Sequence, residues 1–308
     1  MKKCKWFLWP LLASSVFLIR CGNDSAGSPL LQGRIAVDSL ESLQIAYSLS
    51  GDVLEMAYEE ITPAEDGSFS FDIELPEKTL DADIYVDNAI FGVHLEQGKT
   101  AVVEITRDDS GVVGIAFSGD NADLSRVYNA CTRAFDIMKY FSPDPAEAKS
   151  PDEYRALLDS EYARLKQEIA TLDEGAERTC YERLSQGKYE WSHLRILMDQ
   201  AFDEGKKFNE YPEYTTILEK VDPNDPLNIR TGLVFSWIGY RQKTPVAEPG
   251  EDATDYTLES IDIVEREITD PAVRRSLANY IGYSFFTIGG GSGDVKRIWE
   301  RFSVLAQP

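Results

Sequence analysis

Histidine and cysteine are scarce in this chain of 308 residues, with two of the first and four of the second. His94 and His193 stand alone, without a His-x-x-His, a cysteine pair or a carboxylate at ligand spacing, so no metal centre is expected. Each reads instead as a packed or surface residue: His94 in a strand pattern beside Phe91 and Leu95, His193 on a helix beside Trp191 and Leu194. No Cys-x-x-Cys occurs anywhere. Positive charge is the third shortage: 31 Lys and Arg face 53 Asp and Glu, for a net charge of −22. A surface this negative repels phosphate backbones, which argues against nucleic acid as a partner. It also disfavours lying flat on anionic lipid.

Hydrophobic residues make up 43 % and aromatics 11 %, ample for packed cores and against global disorder. The N-terminus reads as a leader over residues 1–20. Met1 to Lys5 is basic, and Trp6 to Ile19 is almost wholly apolar. That run holds fourteen residues, fewer than the roughly 20 of a spanning helix. It closes near Cys21, with Leu18 and Ile19 in the aliphatic positions before it and Arg20 where a small residue is usual. Cys21 is therefore expected to carry lipid after cleavage, against ordinary cleavage nearby as the plainer alternative. Removal of the leader leaves 27 basic against 53 acidic residues, −26. Residues 21–30, small and polar, read as a tether. Membrane contact should then come through the lipid.

From residue 31 to 118 the pattern is that of strands. Ser68 to Leu75 alternates strictly, with Phe69, Phe71, Ile73 and Leu75 on one face. Asp66-Gly67 is a hairpin signal and Pro76 a strand stop. Gln97-Gly98 and Asp109-Ser110-Gly111 supply further turns. At Gly119-Asp120 the period changes to that of helices. Asp120 or Asn121 is a cap for a helix carrying Leu124, Val127, Tyr128, Cys131 and Phe135, and Pro143 and Pro145 stand beyond it. Ser150-Pro-Asp-Glu153 reads as a capping box. Further helices are expected from about Gly175 to Phe202, Tyr214 to Leu218, Asn228 to Gly239, Leu258 to Ile268, Pro271 to Phe286 and Val295 to Phe302. The expected fold class is α+β multidomain: an antiparallel β-sandwich over 31–118, followed by an all-helical domain over 119–308.

Asp66-Gly-Ser-Phe-Ser-Phe-Asp-Ile-Glu-Leu-Pro76, Leu95-Glu-Gln-Gly-Lys-Thr100, Phe117-Ser-Gly-Asp-Asn-Ala122, Tyr128-Asn129 and Asn224-Asp-Pro-Leu-Asn228 together resemble exported Bacteroidetes lipoproteins with a DUF4369-type β domain. Members of that family usually end in a thioredoxin-like domain of the TlpA/ResA class. The resemblance implies a cell-envelope location, facing the periplasm or the outer-membrane surface, and a structural scaffold. The matching segments are turn, strand and cap residues. The family's redox centre, a Cys-x-x-Cys at a helix start, has no counterpart in this chain, and Pro308 falls roughly where that domain would begin.

No catalytic residue and no cofactor is therefore assigned. Cys131 and Cys180 are left once Cys4 and Cys21 are set aside, and an oxidising compartment allows a disulfide between them or two free thiols. Asp222-Pro-Asn-Asp225, Asp203-Glu204 and Asp108-Asp109 lack the twelve-residue calcium loop and read as turn and cap residues. Gly289 to Gly293 lacks the Lys-Ser/Thr of a phosphate loop and reads as a helix stop. The aromatics Tyr211, Tyr214, Phe235, Trp237, Tyr240, Tyr280, Tyr283, Phe285 and Phe286 read first as core and second as a groove. The expected function is a non-catalytic binding or scaffold module related to thiol-disulfide oxidoreductases, with a thioredoxin-like protein or a peptide as partner. Two alternatives stand beside it: an oxidoreductase whose redox domain is missing or lies on a separate chain, and a surface lipoprotein that binds glycan or peptide.

Overall fold

The computed structural model describes residues 29–36, 40–52, 54–75, 77–109, 111–136, 139–140, 149–244, 251–288 and 293–305. The leader, Cys21, most of the tether, the stop at Pro76, Pro143, Pro145 and residues 289–292 lie outside them.

Eight strands come first among the described residues: β1 (Leu31–Ala36), β2 (Leu43–Tyr47), β3 (Ala57–Glu60), β4 (Ser68–Phe71), β5 (Thr79–Val86), β6 (Ala89–Glu96), β7 (Ala101–Arg107) and β8 (Val113–Gly119). They form two four-stranded sheets, ordered β4-β1-β7-β8 and β3-β2-β5-β6. The expected purely antiparallel arrangement needs correction at one pair, since β1 runs parallel to β7. The other five pairs are antiparallel. Parallel neighbours need a long crossover, and the five strands between β1 and β7 supply it.

The Asp66-Gly67 hairpin is also corrected. A turn is present, with Gly67 at φ 80° and Asp66 accepting from the Ser68 amide at 3.0 Å. The strands on either side of it join different sheets, β3 pairing with β2 and β4 with β1. Gly67 is bound to β1 instead, its carbonyl accepting from the Ile35 amide at 2.9 Å. A Cβ on Gly67 would sit 2.3 Å from the Ile35 carbonyl oxygen, so the turn tolerates no side chain.

One buried cluster draws Leu31, Ile35, Phe71 and Val103 from the first sheet and Ile45, Ile84, Val93 and Leu95 from the second. Alternation along β5 sends Leu80, Ala82, Ile84 and Val86 into that cluster and leaves Asp81, Asp83 and Tyr85 on the other face.

Nine α-helices follow among the described residues: α1 (Ala122–Ala134), α2 (Pro151–Ile169), α3 (Ala176–Glu204), α4 (Pro212–Leu218), α5 (Leu227–Thr231), α6 (Leu233–Arg241), α7 (Thr254–Glu267), α8 (Pro271–Tyr283) and α9 (Val295–Leu305). The capping box of α2 forms as expected. The Ser150 hydroxyl accepts from the Glu153 amide at 3.3 Å, and Glu153 accepts from the Ser150 amide at 2.8 Å. Asn121 stands at the cap position of α1 and its carbonyl accepts from the Ser125 amide at 2.9 Å, but its side chain makes no bond to the first turn. The helix expected over Asn228 to Gly239 is split at Gly232, which sits at φ 84° against Trp191; a Cβ there would lie 2.8 Å from the indole nitrogen. A second large core joins Leu194 and Leu197 of α3 to Trp237, Ile261, Val264, Leu277 and Ile298 of the later helices.

Candidate functional site

Helix α1 lies along β6, and Phe91 to Glu96 are buried without interruption. The contact depends on Gly92, where a Cβ would come within 2.6 Å of the Tyr128 ring. At this edge α1 also supplies hydrogen-bond acceptors. The Gly92 amide donates to Asn129 Oδ1 at 3.2 Å and the His94 amide to Ser125 Oγ at 3.1 Å.

The polar face of β5 and β6 meets α1, α3 and α5 in a buried charge cluster. Asp81, with a side chain 9 % exposed, is its centre. His94 Nδ1 lies 2.7 Å from Asp81 Oδ1, and the Tyr181 hydroxyl of α3 donates to the same oxygen at 3.0 Å. Arg230 of α5 donates to Asp81 Oδ2. Burial would push the Asp81 carboxyl up, but the His94 hydrogen bond and the Arg230 charge outweigh it and hold the group at about 2. Arg230 is correspondingly held above its ordinary range: burial opposes its charge, and the Asp81 carboxylate more than offsets that.

Asp83, two residues along the same face, behaves in the opposite sense. Burial pushes it up to about 6, against the pull of Lys188 and a long hydrogen bond of 3.4 Å from the Thr132 hydroxyl. Burial also raises the Tyr128 and Tyr181 hydroxyls well above the usual phenol range. His94 Nε2 and both polar atoms of the Asn121 side chain are buried and find no partner among the described residues. This arrangement fixes sheet to helices.

A second tie runs from the loop after β2 to α8. The Asn279 amide nitrogen donates to Glu55 Oε1 at 2.8 Å and to Asp52 Oδ2 at 3.3 Å. An open cleft of about 370 Å³ adjoins it, lined by Leu49, Ser50, Glu55, Ala57 and Arg275. Another, of about 400 Å³, lies between α3 and the approach to α5, with Arg183, Lys220, Asp222 and Asp225 in its wall.

The residues singled out by sequence are scattered. His94 joins the Asp81 cluster, whereas His193 is half-buried on α3 near Tyr189, its pKa lowered by burial. Cys131 and Cys180 are both free thiols, the first buried and the second exposed, so the bridge is not formed. Asp222 and Asp225 accept from the backbone amides of Asn224 and Leu227, and Asp225 also pairs with Arg183. Asp108 accepts from the Val112 amide in the turn before β8. Glu204 accepts from Gln200 and Tyr211 at the end of α3, and Asp203 beside it is exposed. Most of the aromatic group is core: Tyr214, Trp237 and Phe285 are buried, and Tyr211, Phe235, Tyr240 and Tyr280 pack against them. Tyr283 is partly buried, and Phe286 reaches the surface beside Trp299. Gly293 alone of its glycine run is described, at φ 131° beside Thr254. Among the described residues no three His, Cys, Asp or Glu gather as a metal site, and no helix is long and apolar enough to cross a membrane.

Sequence reasoning missed Asp81 and Arg230, which are 149 residues apart. The signal for Asp81 was local: a carboxylate alternating with Leu80, Ala82 and Ile84 on a strand buried on its other face. No family model matches this chain, and neither does any curated protein or solved structure.

Proposed function

We propose that this chain is a membrane-anchored module of the cell envelope that binds or positions a partner and carries out no chemistry of its own. In this reading Cys21 bears the lipid and residues 21–30 are the tether. The body belongs to the scaffold part of the DUF4369-type, thioredoxin-like lipoproteins, with a β-sandwich over 31–118 and a helical unit over 119–308. The shared buried cluster of the two sheets supports the sandwich.

The observation that carries the non-catalytic part is the environment of the thiols. Cys131 is buried on α1, and burial pushes its pKa up to about 11. At neutral pH only about one molecule in ten thousand would carry the thiolate that attacks a disulfide. Cys180 is exposed and unbridged, five residues into α3 and away from the helix start where a thiolate is stabilised. Of the carboxylates with strongly shifted pKa, Asp81 and Asp83 lie in the sheet–helix junction, and Glu204 at the end of α3 is held low by its bonds with Lys206, Gln200 and Tyr211.

The test is reduction of insulin disulfides by dithiothreitol. The expected result is a rate unchanged by the protein and the same for the variant Cys131→Ala/Cys180→Ala. Acceleration that vanishes in that variant overturns the reading. Mass spectrometry of the mature N-terminus tests the anchor separately, with a diacylated Cys21 as the expected result.

A further inference from the structure

The two sheets have four edge strands, β4, β8, β3 and β6. Three are guarded in the ways that sheets ordinarily are. Helix α1 covers β6 and accepts from its Gly92 and His94 amides. β3 is four residues long and carries Glu59 and Glu60, and β4 is also only four residues long. The fourth edge has none of these devices. β8 is seven residues, Val-Gly-Ile-Ala-Phe-Ser-Gly, without charge or proline.

Its free hydrogen-bonding side can be assigned. The Asp108 amide donates to the Val112 carbonyl at 3.0 Å, and the Asp120 amide donates to the Thr100 carbonyl at 3.4 Å. With the register Thr106↔Gly114, Glu104↔Ala116 and Val102↔Ser118, alternation makes those three pairs the bonded ones. The N–H and C=O groups of Val113, Ile115 and Phe117 therefore point away from β7. None of them is bonded to another described residue. The side chains of these three residues pack at the rim of the shared core and are only partly buried.

We infer that β8 is a docking edge for an extended peptide, which adds as a fifth strand to the β4-β1-β7-β8 sheet. Water satisfies an exposed ladder, and another backbone in strand conformation can replace that water with a continuous set of hydrogen bonds. Residues of that peptide facing the core would be apolar, to cover Val113, Ile115 and Phe117. Its ends would be basic. Asp108 and Asp109 bracket β8 at one end and Asp120 and Asp123 at the other, all exposed. Among nearby cations Arg107 pairs with Asp87, Lys99 with Glu96 and Arg126 with Asp123 itself, so the balance at both ends is still negative. The same charges disfavour a second copy of this chain. An antiparallel β8 pair would set Asp108 and Asp109 against the other copy's Asp120 and Asp123, between bodies of net charge −22 each. The inference rests on the reading of the chain as a binding module and specifies its ligand.

The probe is a synthetic nonapeptide of alternating Val and Thr with Lys at both ends, followed by fluorescence anisotropy and by amide hydrogen exchange. Saturable binding should protect the amides of Val113, Ile115 and Phe117. Of two such peptides N-methylated on alternate residues, one along each edge, at least one should bind about tenfold or more weakly. Exchange of the terminal Lys for Glu should weaken binding at low salt. Ile115→Pro removes an outward amide without breaking the ladder to β7, and should abolish protection at Val113 and Phe117 while far-ultraviolet circular dichroism is retained. Absence of saturable binding, undiminished affinity of both methylated peptides, tighter binding of the Glu-ended peptide, or a dimer protected at the same amides would each overturn the proposal. These results are independent of the insulin and N-terminal assays, so the strand edge can fail while the binding-module reading stands.

Discussion

Two aspartates on one strand face take opposite electrostatic roles. Asp81 receives three donors and stays below the usual carboxylate range, whereas Asp83 is pushed up to about 6 by burial, against Lys188 and the Thr132 and Tyr128 hydroxyls. The sign for Asp83 follows directly. Its folded pKa lies above the ordinary 3.8, so the fold disfavours its charged form. Its contribution is unfavourable above about pH 6 and is relieved as pH falls from there toward 3.8. Asp83→Asn should therefore stabilise the protein at pH 7.5 by about 1–2 kcal/mol, allowing for solvent screening of a partly exposed group. The gain should shrink to nothing near pH 4. Urea midpoints at both pH values check this, and a variant destabilised at pH 7.5 would show that the carboxylate is needed in its charged form.

At the scale of elements, α1 is the cover of an edge strand, and its fit is set by a missing side chain. Gly92→Ala would place a Cβ 2.6 Å from Tyr128 Cδ1 and 2.7 Å from Thr132 Oγ1, both on the helix that must stay close. The expected loss is about 1–3 kcal/mol, as for other overpacked contacts. Gly114→Ala on β8 is the control, since its Cβ would stand 3.6 Å from Thr106 Oγ1, an ordinary contact. It should change stability by less than about 0.5 kcal/mol. Thermal denaturation of the two variants side by side checks the contrast.

What could be read in advance follows the same division. Strand positions, the change of period near residue 119 and the Ser150–Glu153 box were legible because each is encoded within a few residues. The parallel pairing of β1 with β7 and the parting of β3 and β4 across Asp66-Gly67 were not, because a turn signal specifies a reversal and leaves the pairing open. Helix α1 carried its own apolar stripe, but nothing in that stripe said that Ser125 and Asn129 would accept from strand amides more than thirty residues away. The split at Gly232 depends on Trp191, a contact between distant segments. His94 was legible as a packed or surface histidine in a strand. Its partners Asp81, Tyr181 and Arg230 become a set only when β5, α3 and α5 are brought together.

For the molecule as a whole, the two large hydrophobic cores among the described residues lie one in the sheets and one in the later helices, a smaller cluster gathers α1, α2 and α3, and polar ties run between sheets and helices. Asp81 is the strongest of these, joining two strands to α3 and α5, and Asn279 adds a second tie through Asp52 and Glu55. Coupling of this kind makes two cores melt together, because opening the junction exposes a carboxylate and a guanidinium that had been matched. A single calorimetric transition is expected for the native chain, with equal calorimetric and van't Hoff enthalpies. Asp81→Ala leaves Arg230 without its acceptor and Tyr181 with only His94 Nδ1, 3.0 Å away, and should cost about 2–4 kcal/mol. The loss falls on the junction more than on either core, so the melt should divide into two transitions, one for each. Asn279→Ala alone, which removes a half-buried donor shared between Asp52 and Glu55, should lower the single transition by a few degrees without dividing it. A single transition retained in Asp81→Ala would mean that apolar contact between α1 and β6, and not the buried charge cluster, couples the halves.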